Sequence, residues 1–202
     1  MPNSPAIKRL VSKDPVFGKI IKRIKLPQDR KRRPNYFRSL TSAIINQQLS
    51  GKAADKIEAR FKALFPGRAF PSPEQVLKTP NNKLRKAGLS QMKIKYIKGL
   101  AKKIKNQEIN FKKIVTLEDE EVIIKLTELK GIGRWTAEMF LMFSLRREDV
   151  FSAGDFGLRT AIKKIYRLKD LPDEKTAKRI AEKWSPHRTL ACRYLWASTD
   201  SK

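Results

Sequence analysis

The sequence predicts an all-α fold. Apolar residues recur at three- and four-residue spacing along most of the chain, helix-capping residues precede those runs, and no stretch alternates apolar and polar residues between hairpin turns. With 202 residues and 40% hydrophobic content, the chain is long enough for one well-buried domain or two small lobes sharing a cleft. At an average helix length of about 11 residues this allows ten or so helices. No repeat of fixed period is present.

The first element is an amphipathic helix over Pro15–Lys25. Val16, Phe17, Ile20, Ile21 and Ile24 form one stripe, and Lys19, Lys22, Arg23 and Lys25 form another. Asp14 is placed as its N-cap and Pro15 at the first helical position. The polar, basic stretch Lys25–Asn35 carries two prolines and reads as a loop. Its segment Asp29–Pro34, DRKRRP, suits either a nuclear address or a phosphate-binding loop. Tyr36, Phe37, Leu40, Ile44 and Gln47 then follow helical spacing. Ser50 and Gly51 interrupt the run, and Ser50 is placed as the cap of a helix carrying Ala53, Ala54, Ile57 and Phe61. The pair Gln47-Gln48 at the break reads either as solvated amides or as donor–acceptor side chains aimed into a base stack.

A Pro- and Gly-rich connector over 65–80 leaves room for a short helix from Pro73. Gly88 stops the next helix and Ser90 caps the one after it. That helix turns Ile94, Ile97, Leu100, Ala101 and Ile104 inward. Lys93, Lys95, Lys98, Lys102, Lys103 and Lys105 lie outside, on a face that either tracks a polyanion or is simply solvated. Thr116 is placed as cap of a helix whose first turn is acidic, which suits the helix dipole. Its stripe is Val122, Ile123, Leu126 and Leu129. The turn KGIG leads into a helix from about Arg134. Three further helices follow: Phe156–Leu168, Glu174–Trp184 and Arg188–Ser198.

Charge narrows the partners. Lys and Arg number 46 against 20 Asp and Glu, a formal net charge of +26. Such a field attracts polyanions, with nucleic acid ahead of an anionic membrane surface. A solvated surface or thermal adaptation through lysine enrichment is the plainer explanation. One cysteine, Cys192, excludes an internal disulfide and a cysteine-rich metal cluster, and one histidine, His187, disfavours a histidine-based site. No run reaches the roughly 18 apolar residues of a membrane span, and the first ten residues lack the apolar core of a signal peptide. An intracellular protein is expected.

Chemistry concentrates in Leu129–Leu158, LKGIGRWTAEMFLMFSLRREDVFSAGDFGL. Gly131 and Gly133 flank Ile132 between two helices. Glycine accepts positive φ and lets backbone N–H groups approach an anion, and the following helix start favours a phosphate. Arg134 adds a charge. Such a contact positions a protein on any strand and reads no sequence. Downstream, Asp155 is the only carboxylate between Asp149 and Asp170. It reads as an N-cap, as a functional carboxylate that stabilises positive charge or takes a proton from water, or as both.

This stretch resembles the helix-hairpin-helix DNA glycosylase superfamily, most closely its alkylated-base branch, the 3-methyladenine DNA glycosylase II family. AIINQQLSGKAA, LRKAGLSQMKIKYI, DVFSAGDFGLRTAI and WSPHRTLACRYLW occur in the family's order, so the resemblance spans most of Tyr36–Trp196. It implies two helical lobes with the active site in the cleft between them: about 36–145, including the hairpin 129–135, and about 1–35 with 146–202. It also implies a phosphate-binding hairpin at Gly131, Ile132, Gly133 and Arg134, with a monovalent cation on carbonyls near Leu129 and Ile132. Asp155 corresponds to the catalytic carboxylate. Trp135 replaces the lysine nucleophile of lyase-competent relatives and lines the base pocket with Met139 and Phe156. Gln48 stands where the family wedges the duplex. The implied enzyme is a monomeric, monofunctional glycosylase of base excision repair, acting on alkylated purines such as 3-methyladenine and 7-methylguanine in double-stranded DNA. It needs no cofactor and no catalytic metal, and it works in the nucleoid or nucleus. A non-catalytic DNA-binding protein, or a glycosylase for hypoxanthine or uracil, is the alternative. The chain departs from the pattern at Lys130, where proline is common, and at His187, where an aromatic residue is frequent.

Overall fold

Side chains at the helix starts decide where this chain folds locally. In a computed structural model, described for residues 4–27, 34–67 and 69–200, all regular structure among the described residues is helical. Ser4 accepts the Ile7 N–H and opens α1 (Pro5–Lys13). Asp14 accepts the Phe17 N–H and opens α2 (Pro15–Arg23). The sequence reading placed Asp14 and Pro15 in these roles but passed over α1, which buries little besides Ile7 and Leu10. The basic run 28–33 lies outside the described residues.

Asn35 then caps α3 (Tyr36–Asn46), and α4 (Gly51–Ala63) follows with Ser50 at its N-cap, though the Ser50 hydroxyl makes no capping bond. A reciprocal Ser72–Gln75 capping box starts α5 (Pro73–Lys78), and α6 (Asn81–Lys86) ends before Gly88, whose φ is +102°. Ser90 accepts the Lys93 N–H at the start of α7 (Gln91–Lys105), and Asn110 caps α8 (Phe111–Ile114). The next helix, α9 (Asp119–Thr127), is not capped by Thr116. Thr116 donates its hydroxyl to the Lys113 carbonyl, while the Glu121 carboxylate accepts the Glu118 N–H at the N-cap. Two competing hydroxyl and carboxylate caps lay within three residues, and the acidic one reached the helix. Then α10 (Arg134–Phe140) runs directly into a π-helical turn, Leu141–Leu145. The remainder is α11 (Phe156–Tyr166), α12 (Glu174–Ala181) with a short 3-10 turn over Glu182–Trp184, and α13 (Arg188–Asp200).

These elements form two compact units. One is Arg33–Phe140; the other combines Met1–Arg32 with Leu141–Lys202. The π-helical turn therefore belongs to the second unit, whereas the sequence reading grouped 141–145 with the hairpin.

In the first unit α7 packs on α3 and α5, burying Ile94, Ile97, Leu100 and Ala101 against a core that includes Leu40, Ile44 and Val76. Its lysines do not form one solvated stripe. Lys93 Nζ donates to the carbonyls of Ile45 and Gln47 at 2.7 and 2.8 Å, and Lys98 Nζ donates to the Thr79 carbonyl at 2.7 Å. These two lysines cap helix ends, where carbonyls lack intrahelical partners. Burial pushes the Lys93 amine below its ordinary value.

The second unit is tied together by Asp14. Its carboxylate, 2% exposed, accepts the Phe17 N–H at 3.1 Å, the Trp184 indole N–H at 3.0 Å and the Tyr166 hydroxyl, and it pairs with Lys183 at 2.9 Å. Four elements converge there: α2, α11, the 3-10 turn and, through the cap itself, the end of α1. Burial works to raise the Asp14 carboxyl, but the donors around it outweigh burial and hold it below its ordinary 3.8. The stabilisation is thus present above the unfolded value and is lost as pH falls below about 3.8 toward the folded one. Asp14→Ala is expected to cost roughly 3–5 kcal/mol, the penalty for orphaning a buried pair. Denaturant unfolding should show that loss at pH 7 and a smaller gap between variant and parent near pH 3.

Candidate active site

The hairpin between α9 and α10 is built around two glycines with different jobs. Gly131 has φ +89°, and a Cβ there would lie 2.3 Å from the Tyr96 ring, so a side chain is excluded by both backbone and neighbour. The Ile132 N–H closes the turn on the Leu129 carbonyl at 2.9 Å, and both side chains are buried. Gly133 is exposed, has no positive φ, and a Cβ would meet nothing within 4 Å. Its missing side chain serves no internal packing. It leaves the start of α10 open to an approaching group.

Arg134 departs from its expected role. Its two terminal nitrogens lie 2.7 Å from the two Glu120 oxygens, and Nε lies 3.1 Å from Glu138. The Glu120 hydrogen bonds raise the guanidinium pKa, against partial burial. This fork ties α9 to α10, and its charge is offset by two carboxylates. Trp135 is 52% exposed, and Met139 is half-buried one turn along the same face.

Beyond α3, Gln48 is exposed with φ +56°, a conformation costly for any residue with a Cβ. Its neighbour Gln47 is half-buried and donates its amide to the Gly131 carbonyl at 2.7 Å. The two glutamines, alike in sequence, therefore differ: Gln47 is internal structure and Gln48 is presented outward.

Asp155 belongs to the other unit. It is the N-cap of α11, and Oδ1 accepts the Leu158 N–H at 2.7 Å. The same oxygen accepts the Trp196 indole N–H at 3.1 Å. Asp155 is 9% exposed, so its carboxylate is set into the surface without being sealed. A Cβ on Gly157 would come within 3.1 Å of Oδ1, so glycine there leaves the carboxylate room. Phe143, on the π-helical turn, packs on Trp196 with ring centroids 6.0 Å apart. Phe143 and Phe156 are large, exposed aromatics near this acid.

The segment leading to Asp155 is stitched to α13. Thr189 donates to the Arg147 carbonyl at 2.6 Å and accepts the Val150 N–H at 3.1 Å. Arg188 binds both oxygens of Asp149, at 2.7 and 2.9 Å, and the Ser185 hydroxyl joins them at 2.8 Å. The Asp149 carboxyl lies below its ordinary value: burial raises it, and the Arg188, Ser185 and backbone donors outweigh that. His187 bridges backbone turns, and its Nδ1 is 3.8 Å from Glu148.

Residues 41–187 match the family described as HhH-GPD superfamily base excision DNA repair protein. The chain belongs to this superfamily. DNA-3-methyladenine glycosylase 1 of Schizosaccharomyces pombe is 37% identical over 164 residues, 81% of this chain and 72% of that protein. The DNA-3-methyladenine glycosylase of Saccharomyces cerevisiae is 36% identical over 182 residues, 83% of this chain and 60% of that protein. A crystal structure of DNA-3-methyladenine glycosidase from Bacillus halodurans is similar with a TM-score of 0.86 and 39% identity, covering 99% of this chain and 91% of that one. A Schizosaccharomyces pombe 3-methyladenine DNA glycosylase in complex with abasic DNA is similar at 0.87 and 32%, covering 98% and 97%.

In this HhH-GPD chain the hairpin glycines, Arg134, Trp135, Met139 and Gln48 lie in one unit, and Asp155 and Phe156 lie in the other. Sequence reasoning did not single out Trp196, Phe143 or Tyr96 as site residues, and it read Gln47 only together with Gln48, as solvated amides or as side chains aimed into a base stack. A tryptophan in the final helix was the only signal for the first, and the others needed packing to be seen. Gly131→Ala should destabilise by more than 1 kcal/mol, since αL strain and the Tyr96 clash add. Gly133→Ala should leave the melting temperature nearly unchanged while weakening binding to undamaged duplex. Calorimetry and fluorescence anisotropy on the two variants check the pair.

Proposed function

We propose that this chain is a monofunctional DNA glycosylase of base excision repair, hydrolysing the N-glycosidic bond of alkylated purines of the 3-methyladenine and 7-methylguanine type in duplex DNA. The observation that carries the proposal is Asp155, a carboxylate fixed by a helix-start amide and an indole N–H and flanked by exposed aromatic rings. Mere DNA binding has no use for such an acid. The relatives named 3-methyladenine glycosylases favour the same substrate class.

The +26 charge draws the chain to duplex DNA and opposes self-association, which suits a monomer. The hairpin takes a backbone phosphate on the amides that follow Gly131 and Gly133. Arg134 braces the hairpin through Glu120 rather than meeting the phosphate itself. The hairpin's neutral carbonyls, Leu129 and Ile132, suit a singly charged cation, which would add positive charge beside that phosphate; Leu129 keeps a second lone pair beside its bond from Ile132. Gln48 fills the space left by the flipped nucleotide. Trp135, Met139 and Phe156 meet the base, and a π-face suits an electron-poor, alkylated ring.

Alkylation has already placed positive charge on the base. When the bond breaks, its electron pair leaves with the base and neutralises that charge, while positive charge builds on the sugar. Asp155 stabilises this oxocarbenium character, and water adds to the sugar carbon and gives up a proton. The products are a free base and an abasic site. Trp135 offers no amine for a Schiff base, so strand cleavage by a lyase step is not expected.

Asp155→Asn keeps an N-cap acceptor and so should preserve the melting temperature. Release of 3-methyladenine or 7-methylguanine from alkylated duplex, read by chromatography, should drop at least about 100-fold. Binding to a duplex with an abasic-site analogue should change only a few-fold. Retention of full base release in this variant would sink the assignment.

A further inference from the structure

Three residues join the turn at Gln48 to the phosphate hairpin, and none of them faces DNA in the reading above. Lys93 and Tyr96 stand one turn apart on the same face of α7. Lys93 Nζ donates to the Ile45 and Gln47 carbonyls, at 2.7 and 2.8 Å, and so pins the C-terminal end of α3 where the helix dipole is negative. Tyr96 lies against Gly131, closely enough that no Cβ fits between them. Gln47 closes the loop by donating its amide to the Gly131 carbonyl at 2.7 Å. The next residue is Gln48, held at φ +56°. A neutral or isosteric helix end would satisfy local folding. A half-buried lysine bonded to two carbonyls at the end of α3, on the helix that also shapes the hairpin, does more.

We propose that Gln47, Lys93 and Tyr96 are positioning residues that make the Gln48 turn and the Gly131 hairpin one rigid piece. Docking of the hairpin on a backbone phosphate then sets the depth and angle at which Gln48 enters the duplex. The inference rests on the reading of Gln48 as the inserting residue and of the hairpin as the phosphate contact. It adds that the two act as one part. An insertion held this way is made without ordering a loop at the moment of binding, which favours flipping over simple association.

The test is a double-mutant cycle on the full chain. Gln47→Met removes the amide bond at similar volume, and Lys93→Met removes the pin. Each is combined with Gln48→Ala. Flipping is read by stopped-flow fluorescence of 2-aminopurine placed beside an alkylated purine in duplex DNA. Binding to undamaged duplex and the melting temperature are read alongside. Gln47→Met should lower the flipping amplitude and kcat about tenfold, an effect of one lost hydrogen bond that misplaces the insert. Binding to undamaged duplex should stay within twofold. In the Gln48→Ala background Gln47→Met should add nothing, because the residue it positions is gone. Additive losses in the cycle, or an unchanged flipping amplitude in Gln47→Met, would overturn the coupling even with the insertion reading intact. An unchanged amplitude in Gln48→Ala alone would overturn the insertion reading, and the coupling with it. Should Lys93→Met fail to fold, the Gln47→Met arm decides, since Gln47 is only half-buried.

Discussion

The hydrogen bond from the Leu158 amide to Asp155 is the constraint on which the proposed site depends. It is at once a helix cap and the anchor of the carboxylate in the active-site reading. A cap fixes one oxygen in line with the helix axis, but it does not fix the plane of the carboxylate. The Trp196 indole supplies that second restraint on the same oxygen. Trp196 is held in turn because α13 is bonded through Arg188 and Thr189 to residues 147–150, the segment that leads to Asp155. The acid and the group that orients it thus share one scaffold. Gly157 and Phe143 complete the surround, one by giving space and the other by packing on the indole ring.

The same unit holds a second buried carboxylate, Asp14, with a different fate. Four donors close around it, and it binds elements together. Asp155 makes two of its bonds to one oxygen and is 9% exposed, against 2% for Asp14. Both are N-caps by sequence. Asp14 binds elements together, whereas the proposed function gives Asp155 a part in the reaction.

The excess positive charge is not uniform in purpose either. Lys93 and Lys98 cap carbonyls, Lys183 pairs with Asp14, and Arg134 is held by Glu120. These cations act at short range inside the fold. The remaining surface lysines and arginines act together as a field that attracts a polyanion without reading its sequence. In the proposed reading the hairpin needs no cationic side chain of its own, because the amides at the start of α10 favour an anion.

The all-helical architecture, the helix starts at Asp14, Ser90 and Asp155, and the Gly-x-Gly turn were legible because each is a local matter. Capping and glycine conformation depend on residues three or four positions apart. The helix α1 was missed because two buried side chains make too weak a stripe, and the start of α9 was misplaced because Thr116 and Glu118 both offer caps nearby. The family, a carboxylate at a helix start and a Gly-x-Gly turn between helices could all be read from short patterns. Packing alone shows that Gln47 bonds to Gly131, that Lys93 donates to carbonyls at the end of α3, that Arg134 pairs with Glu120, and that Trp196 bonds to Asp155. Each of those contacts joins residues more than ten positions apart, and such a distance is set by how helices pack, which no short pattern records.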